Sequence, residues 1–315
     1  MARWFKVLGH CTLLFGLACV EPSWSQSDRS PRAEISRTSI TTGHQTAEHQ
    51  TTDRNWHAFW RHHLGRWDGS WTRYNSSGIV KETFASTREF TANSGKTAIV
   101  QSNRYRYADG RSIEKEWSYN ITDHSHQDGF AHPASRPMRG LALNNGAAAW
   151  LIPSLEPQQY APFELFLVDG DRRHSVGVVY GPTGDLLRTA TIREQRGETS
   201  DRGWSDAILQ VEPWHPIGLW RGQEQQIRRN LSLVPMQNAS WQWGDEDPDN
   251  PSFHYFPDGI ILSCPERLTP GRAFSIQVIW MLKDDAMQTI TAQYDKNAVL
   301  IGVTHQALKP VVDPR

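Results

Sequence analysis

Apolar residues along this chain change their repeat near residue 65. Upstream, Trp56, Phe59, Trp60, His63 and Leu64 recur at helical spacing. Asp53 or Asn55 can cap the start and Gly65 can end the turn, so the pattern predicts a short amphipathic helix. From Trp67 onward the period is two. Phe84, Ser86, Arg88 and Phe90 share one strand face, as do Ile99, Gln101, Asn103, Tyr105 and Tyr107, while Arg104 and Arg106 point the opposite way. Ile113, Lys115, Trp117 and Tyr119 continue the alternation. Asp109-Gly110, Asp169-Gly170 and Gly181-Pro182-Thr183-Gly184 separate runs rich in β-branched or aromatic residues, as tight hairpins require. The predicted architecture is an all-β antiparallel meander behind a short N-terminal helix, and such meanders avoid exposed edges by closing into barrels.

A weak internal repeat divides the meander. Leu64-Gly65-Arg66-Trp67-Asp68-Gly69 matches Ile217-Gly218-Leu219-Trp220-Arg221-Gly222, and Asp109-Gly110 is echoed by Asp258-Gly259 at almost the same offset. Two similar units are expected, a first over residues 54–203 and a smaller second over 213–315. In the second, Phe253 to Ile261, Phe274 to Leu282, Thr289 to Tyr294 and Val299 to His305 read as strands. A Gly ahead of a Trp at the start of a strand permits a sharp backbone turn and lets the indole fold under the barrel. Gly65, Trp67, Gly218 and Trp220 are therefore expected to plug two barrel ends.

Before the helix the chain changes character. Arg3 and Lys6 precede the unbroken apolar run Leu13 to Val20, which is shorter than the ~20 residues a membrane span needs, and small residues follow at Ser23 and Ser25. This reads as an export signal over 1–25, cleaved before Gln26. The competing reading lipidates Cys19, although Gly16-Leu17-Ala18-Cys19 lacks the Leu-like residue of a lipobox. Residues 26–53, polar and rich in Ser and Thr, read as a disordered tether. An exported protein is expected, in a periplasm or thylakoid lumen, with no transmembrane span in its mature form.

Composition narrows the chemistry. The 315 residues carry a net charge of −1, from 33 Lys+Arg and 34 Asp+Glu, which gives no basic surplus for a nucleic-acid partner. Hydrophobic residues at 38% suffice for a real core, and 14 Trp, 23 Gly and 18 Pro suit a turn-rich β protein. Of the 3 cysteines, only Cys264 remains once the first 25 residues are removed. It excludes an internal disulfide framework and reads as a buried, inert thiol. Gly-x-Ser-x-Gly, Walker, His-Glu-x-x-His and Cys-x-x-Cys signatures are missing.

The segments His63 to Tyr74, Phe84 to Phe90, Asn103 to Gly110, Phe163 to Phe166 and Tyr255 to Gly259 together resemble an uncharacterised family of cyanobacterial and plastid lipocalin-like proteins of the calycin superfamily. The resemblance covers about residues 55 to 308 and implies tandem lipocalin-like barrels. It also implies a ligand class, a small hydrophobic molecule such as a pigment, tetrapyrrole, carotenoid or lipid. Such a ligand would be held by Phe84, Arg88, Asn103, Tyr105, Tyr107, Trp117 and Glu164 on inward faces of the first unit. Arg88 is the pivotal member, because an unpaired guanidinium inside a barrel is costly. It either clamps an anionic ligand, pairs with an inward Glu such as Glu164, or packs over the Gly-x-Trp indole.

Three function classes stay open: a non-catalytic carrier, an enzyme acting on such a ligand as isomerase, cyclase or chromophore lyase, and an assembly factor with a protein partner. No cofactor is assigned and no metal is expected. His124 and His126 alternate like strand neighbours with His132 following, but no third ligand arrives at a recognised spacing. Asp245-Glu246-Asp247-Pro248-Asp249 reads as a solvated loop rather than a Ca²⁺ site. His305 could ligate haem, although a histidine on a terminal strand is commonly at the surface.

Overall fold

A computed structural model describes residues 42–197, 203–244, 252–283 and 285–311. The export signal, its Cys19 alternative, most of the tether and the Asp245–Asp249 stretch lie outside the described residues. Helix α1 (Thr42–His63) precedes an 11-stranded antiparallel sheet. The helix starts well before Asp53, inside the segment expected as tether. Apolar periodicity marks only the turns that pack, where Trp56, Ala58, Phe59 and Trp60 are buried, and it is blind to the polar turns ahead of them.

The first sheet follows chain order: β1 (Gly65–Asn75), β2 (Val80–Ala92), β3 (Ala98–Tyr107), β4 (Ser112–Asn120), β5 (Ser125–His126), β6 (Gly129–His132), β7 (Ser135–Ala142), β8 (Ala148–Leu151), β9 (Ala161–Asp169), β10 (Arg172–Tyr180) and β11 (Leu186–Arg196). β1 pairs with both β2 and β11, so the meander curls into a nearly closed barrel whose seam lies between β4 and β5. Aromatic rings bridge the seam where ladder bonds do not, with Tyr119 on β4 meeting His132 on β6 at 5.5 Å and Trp150 on β8 at 6.3 Å. A one-turn helix α2 (Ile121–His124) joins the two seam strands, and its Asn120 cap accepts from Thr122 N. His124 therefore closes a helical turn instead of sharing a strand face with His126. All three expected hairpins are present, joining β3 to β4, β9 to β10 and β10 to β11.

The second sheet holds β12 (Leu219–Arg228), β13 (Gln237–Gln242), β14 (Ser252–Phe256), β15 (Ile260–Cys264), β16 (Phe274–Lys283), β17 (Ala286–Tyr294) and β18 (Leu300–Pro310), in the order β13-β12-β18-β17-β16-β15-β14. The run Phe253 to Ile261 is two strands, because Asp258 and Gly259 take φ of +63° and +76° and reverse the chain. The sheet's edges approach each other through Trp243 and Phe253, 5.2 Å apart. It is a smaller sheet, curled like a barrel but open between its edge strands β13 and β14.

The Gly-x-Trp repeat is structural. Gly65 and Gly218 take φ of +97° and +80°, the left-handed region open to glycine. Each following Trp is buried, with Trp67 Nε1 donating to His63 O at 3.0 Å and Trp220 Nε1 to Ile217 O at 3.2 Å. Each unit's first strand then pairs with its last, β1 with β11 and β12 with β18.

The two barrels pack wall to wall. Leu165, Val176 and Val178 on the outside of the first barrel share one apolar cluster with Val278, Trp280 and Ile290 of the second. Tyr294 donates to Ile152 O and Tyr180 to Pro265 O, both at 2.8 Å, across this contact. Strands β8, β9 and β10 are consequently buried on both faces, which explains their continuous apolar reading. Cys264 lies in this cluster, free and fully buried, and burial pushes its thiol up to about 12. No helix among the described residues is long and apolar enough to cross a membrane.

Candidate functional site

Strand register gathers most of the sequence-expected residues inside the first barrel. Arg88 faces Asn103, Ser86 faces Tyr105 and Phe84 faces Tyr107 across β2 and β3, and Gln101 faces Trp117 across β3 and β4. Phe84, Arg88, Asn103, Tyr105 and Glu164 are buried; Tyr107 and Trp117 are half-buried. Tyr105 accepts from Asn103 Nδ2 at 2.7 Å, and burial lifts its phenol to about 12.

The centre of this barrel is a closed ion cluster. Arg88 donates to both carboxylate oxygens of Glu194 and, at 3.3 Å, to Glu164. Arg173 donates to Glu194 through Nε at 2.7 Å and meets His63 Nδ1 at 3.0 Å, while Ser175 donates to Glu164 at 2.7 Å. Two cations thus balance two carboxylates in a site without water screening. Burial alone would raise the Glu194 carboxyl, but the guanidiniums of Arg173 and Arg88 more than offset it and hold it at about 2. Glu164 is raised, since burial outweighs Arg88 and the Ser175 hydroxyl. His63 is held well below its usual range by burial and by Arg173, so its neutral ring accepts from Arg173 at Nδ1 and donates to Gly146 O through Nε2 at 3.1 Å. Of the alternatives for Arg88, the geometry is the pairing with inward Glu side chains. The guanidiniums over the Gly-x-Trp indole are those of Arg173 and Arg196, 4.2 and 4.3 Å from the Trp67 ring. Arg196 also donates to Leu64 O and His62 O, covering the carbonyl end of α1.

The rest of the interior is filled by α1. Trp56, Phe59 and Trp60 enter one mouth of the barrel, where Phe59 and Trp56 make edge contacts with Phe130 at centroid distances of 5.0 and 5.4 Å and Trp60 a tilted one at 5.6 Å. What remains beside Arg88, Glu164 and Arg173 is a cavity of about 20 Å³, the room of a single water molecule. Trp60 Nε1 and Arg173 Nη2, on two residues of its wall, have no protein partner among the described residues.

The second barrel has the room that the first lacks. The inward face of its sheet is divided along the axis. One end is closed by Trp220, Trp241, Ile261, Ile279, Met287 and Leu308. The other opens into a chamber of about 500 Å³ whose walls include Glu224, Gln226, Gln277, Thr291, Thr304 and Gln306. These side chains are already knitted in cross-strand pairs. Gln226 Nε2 donates to Thr304 Oγ1 at 3.2 Å, Gln277 Nε2 to Thr291 Oγ1 at 3.0 Å, and Gln306 Nε2 to Glu224 at 3.0 Å. Sequence reasoning passed over all of them. Their signal is Glu224-x-Gln226, Gln277, Thr289-x-Thr291-x-Gln293 and Thr304-x-Gln306, a period-two polar pattern that in isolation reads as a solvated sheet face. A wider surface cleft of about 1190 Å³ lies between α1, α2 and the Arg228–Asn230 turn. It is a groove of charged and polar side chains, with Arg139 already paired to Asp128 at 2.7 Å.

The histidines take other roles. Among the described residues no three His, Cys, Asp or Glu side chains are grouped to hold a metal ion. His132 is buried against Trp117, Tyr119 and Trp150. His305 is buried between the barrels, contrary to its expected surface position, because β18 turns that face toward the first unit. Its Nδ1 meets Asn145 Nδ2 at 2.6 Å and its Nε2 meets Gln288 Oε1 at 3.1 Å, leaving neither ring nitrogen for iron.

Solved structures share this fold, and one family model matches its first barrel. The chain matches a solved structure of a protein of unknown function from the DUF3598 family of Nostoc punctiforme, with TM-score 0.64 and 17% identity over 82% of this chain and 99% of that one. An S-type phycobiliprotein lyase from Guillardia theta matches at TM-score 0.33 and 11% identity, covering 49% of this chain and 98% of its own. Lobster apocrustacyanin A1 matches at TM-score 0.20 and 13% identity, covering 48% and 72%. No curated protein matches the chain. Residues 52–199, the whole of the first barrel with the packed end of its helix, match the N-terminal domain of DUF3598, a domain of unknown function.

Proposed function

We propose that the chain is a non-catalytic binding protein that holds a small molecule in the chamber of its second barrel. The observation that carries this reading is the contrast between about 500 Å³ of open chamber there and about 20 Å³ in the first barrel. A pigment, tetrapyrrole, carotenoid or lipid in the first barrel would have to displace the α1 side chains Trp56, Phe59 and Trp60. Catalysis by the first barrel has little support in its geometry, since Glu164 and Glu194 are committed to Arg88, Arg173 and Ser175 with no reactant-sized space beside them. The first barrel instead serves as the rigid wall on which the second is built. Export to a periplasm or thylakoid lumen belongs to the same proposal and rests on Arg3, Lys6 and the Leu13 to Val20 run.

The test is native mass spectrometry of the chain purified from its own host, beside two variants. Thr291→Trp fills the chamber and is expected to remove the non-covalent adduct; Arg88→Met is expected to retain it while lowering the melting temperature. The opposite pattern, an adduct that survives Thr291→Trp and is lost with Arg88→Met in a folded protein, moves the site into the first barrel and overturns the reading.

A further inference from the structure

We infer that the ligand of the second barrel is a neutral polyhydroxylated molecule, a short saccharide. This rests on the reading of that barrel as the binding chamber and goes on to name its ligand class. Three features of the chamber lead there.

The first is the chemistry of the wall. An amide presents donors and an acceptor, and a hydroxyl does both jobs. Gln226 and Gln277 each spend one amide N–H on a neighbouring threonine, leaving a second N–H and the carbonyl oxygen for a ligand. Thr291 and Thr304 accept in those bonds and keep their own hydroxyl protons to give. Such a wall suits a ligand whose groups also donate and accept, which is the property of sugar hydroxyls. An apolar ligand would strip water from these groups and return no hydrogen bonds, at a cost for each one.

The second is charge. Glu224 is the one acidic side chain of the chamber wall, and no Lys, Arg or His among the described residues lines it. Glu224 accepts from Gln306 Nε2 at 3.0 Å and from Gln237 Nε2 at 2.5 Å. A carboxylate or phosphate ligand would therefore meet a like charge with no cation to answer it. A neutral polyol meets one further strong acceptor.

The third is the floor. Trp241 borders the chamber and sits opposite Trp220 across β12 and β13. Polar groups beside the Trp241 indole, with Phe274 and Tyr294 also bordering the chamber, match the two surfaces of a pyranose ring, whose rim carries hydroxyls and whose faces carry C–H groups. The same division is encoded along single strands. On β17 the inward side chains run from Met287 at the floor to Thr289, Thr291 and Gln293 toward the opening.

The experiment uses the full chain with isotope-labelled glutamine side chains, titrated with maltotriose, cellotriose, laminaritriose and chitotriose, and in parallel with palmitate and biliverdin. The expected result is saturable binding of at least one trisaccharide that shifts the side-chain amide resonances of Gln277 and Gln306. The double variant Gln277→Leu with Gln306→Leu should then weaken that sugar about tenfold or more, the effect of losing two neutral hydrogen bonds. The amide shifts of the parent chain keep the test valid if the variant folds poorly. Chamber resonances that respond to palmitate or biliverdin and to none of the sugars overturn the saccharide assignment and leave the second barrel as the binding site. Sugar binding that leaves both amides unmoved overturns the assignment as well. Chamber resonances that respond to no probe remove both this inference and the proposed function beneath it.

Discussion

Arg88 grips Glu194 with a two-pronged contact, Nε to Oε1 and Nη2 to Oε2, each at 2.5 Å, in a barrel interior where the Glu194 side chain is fully buried. The pair sits on strands β2 and β11, on either side of β1, and so ties the barrel across its first strand. Removing one partner leaves an uncompensated charge in a dry site. Arg88→Met is therefore expected to destabilise the chain by roughly 3–5 kcal/mol, read as a lower denaturant midpoint at unchanged slope. Arg88→Lys should recover little of this, because an ammonium cannot make both contacts. A midpoint within experimental error of the parent would mean that the cluster does not hold the barrel.

Acid should weaken the protein well before its carboxylates titrate. Burial pushes His174 down to about 3, with Arg193 adding to the effect, and burial pushes His305 down to about 4; His63 and His132 are also held well below the usual 6.5. All four stay neutral in the folded chain and take up protons when it unfolds. The unfolded state then binds more protons, so stability is full above about pH 6.5 and falls as pH drops toward the folded-state values. Each histidine contributes about 1 kcal/mol per pH unit within that window. Glu194, held at about 2, adds a second loss below about 4.5, and Glu164, raised by burial, runs the other way and relieves part of it. Denaturation at pH 7, 6 and 5 checks this, and His174→Phe, which suits the adjoining Trp204 and Trp280 rings, should flatten the slope. A pH-independent midpoint between 7 and 5 would contradict it.

The two Gly-x-Trp-x-Gly segments should fail in the same way. A Cβ on Gly69 would lie 1.9 Å from Arg193 O, and one on Gly222 would lie 1.9 Å from Ala307 O; in both cases the obstacle is the backbone of the unit's last strand. Alanine at either position must push first and last strands apart, at a cost of at least about 2–3 kcal/mol. Trp67→Ala and Trp220→Ala should each cost about 3–5 kcal/mol. Thermal melts of the four variants decide the matter. Parent-like melting for both Gly69→Ala and Gly222→Ala would sever the structural equivalence of the repeats.

Most of the first barrel was legible from side-chain alternation alone, because a strand with one face buried writes its register into the sequence. Phe84, Arg88, Asn103 and Tyr105 could be placed on one interior for that reason. What alternation could not give was the partner of Arg88 on β11, since Glu194 lies 106 positions away and only closure of the barrel brings the two together. Nor could it tell what fills the interior: α1 was legible as an amphipathic helix, but its aromatic side chains pointing into the barrel mouth depend on how the helix docks. The polar face of the second barrel was passed over for the opposite reason. Its outer face carries the apolar stripe and packs on the first barrel, so the polar face lines the chamber, and period-two polarity alone does not tell a chamber wall from a solvated face.

Docking of α1 supplies the last test. Trp60 is fully buried and touches Phe59, Phe90, Tyr119 and Phe130 with ring centroids 4.9 to 5.6 Å away. Its removal takes out ring contacts between helix and barrel and enlarges the small cavity beside Arg173. Trp60→Ala should cost about 3–5 kcal/mol and leave an apolar void that admits a benzene-sized probe, by analogy with engineered cavities of about 150 Å³ that stay dry and bind benzene. Indole or benzene should then raise the melting temperature of Trp60→Ala and leave the parent unchanged. If the same ligands stabilise the parent equally, the first barrel is not filled by α1 in solution, and the reading of that barrel as a closed structural wall is wrong.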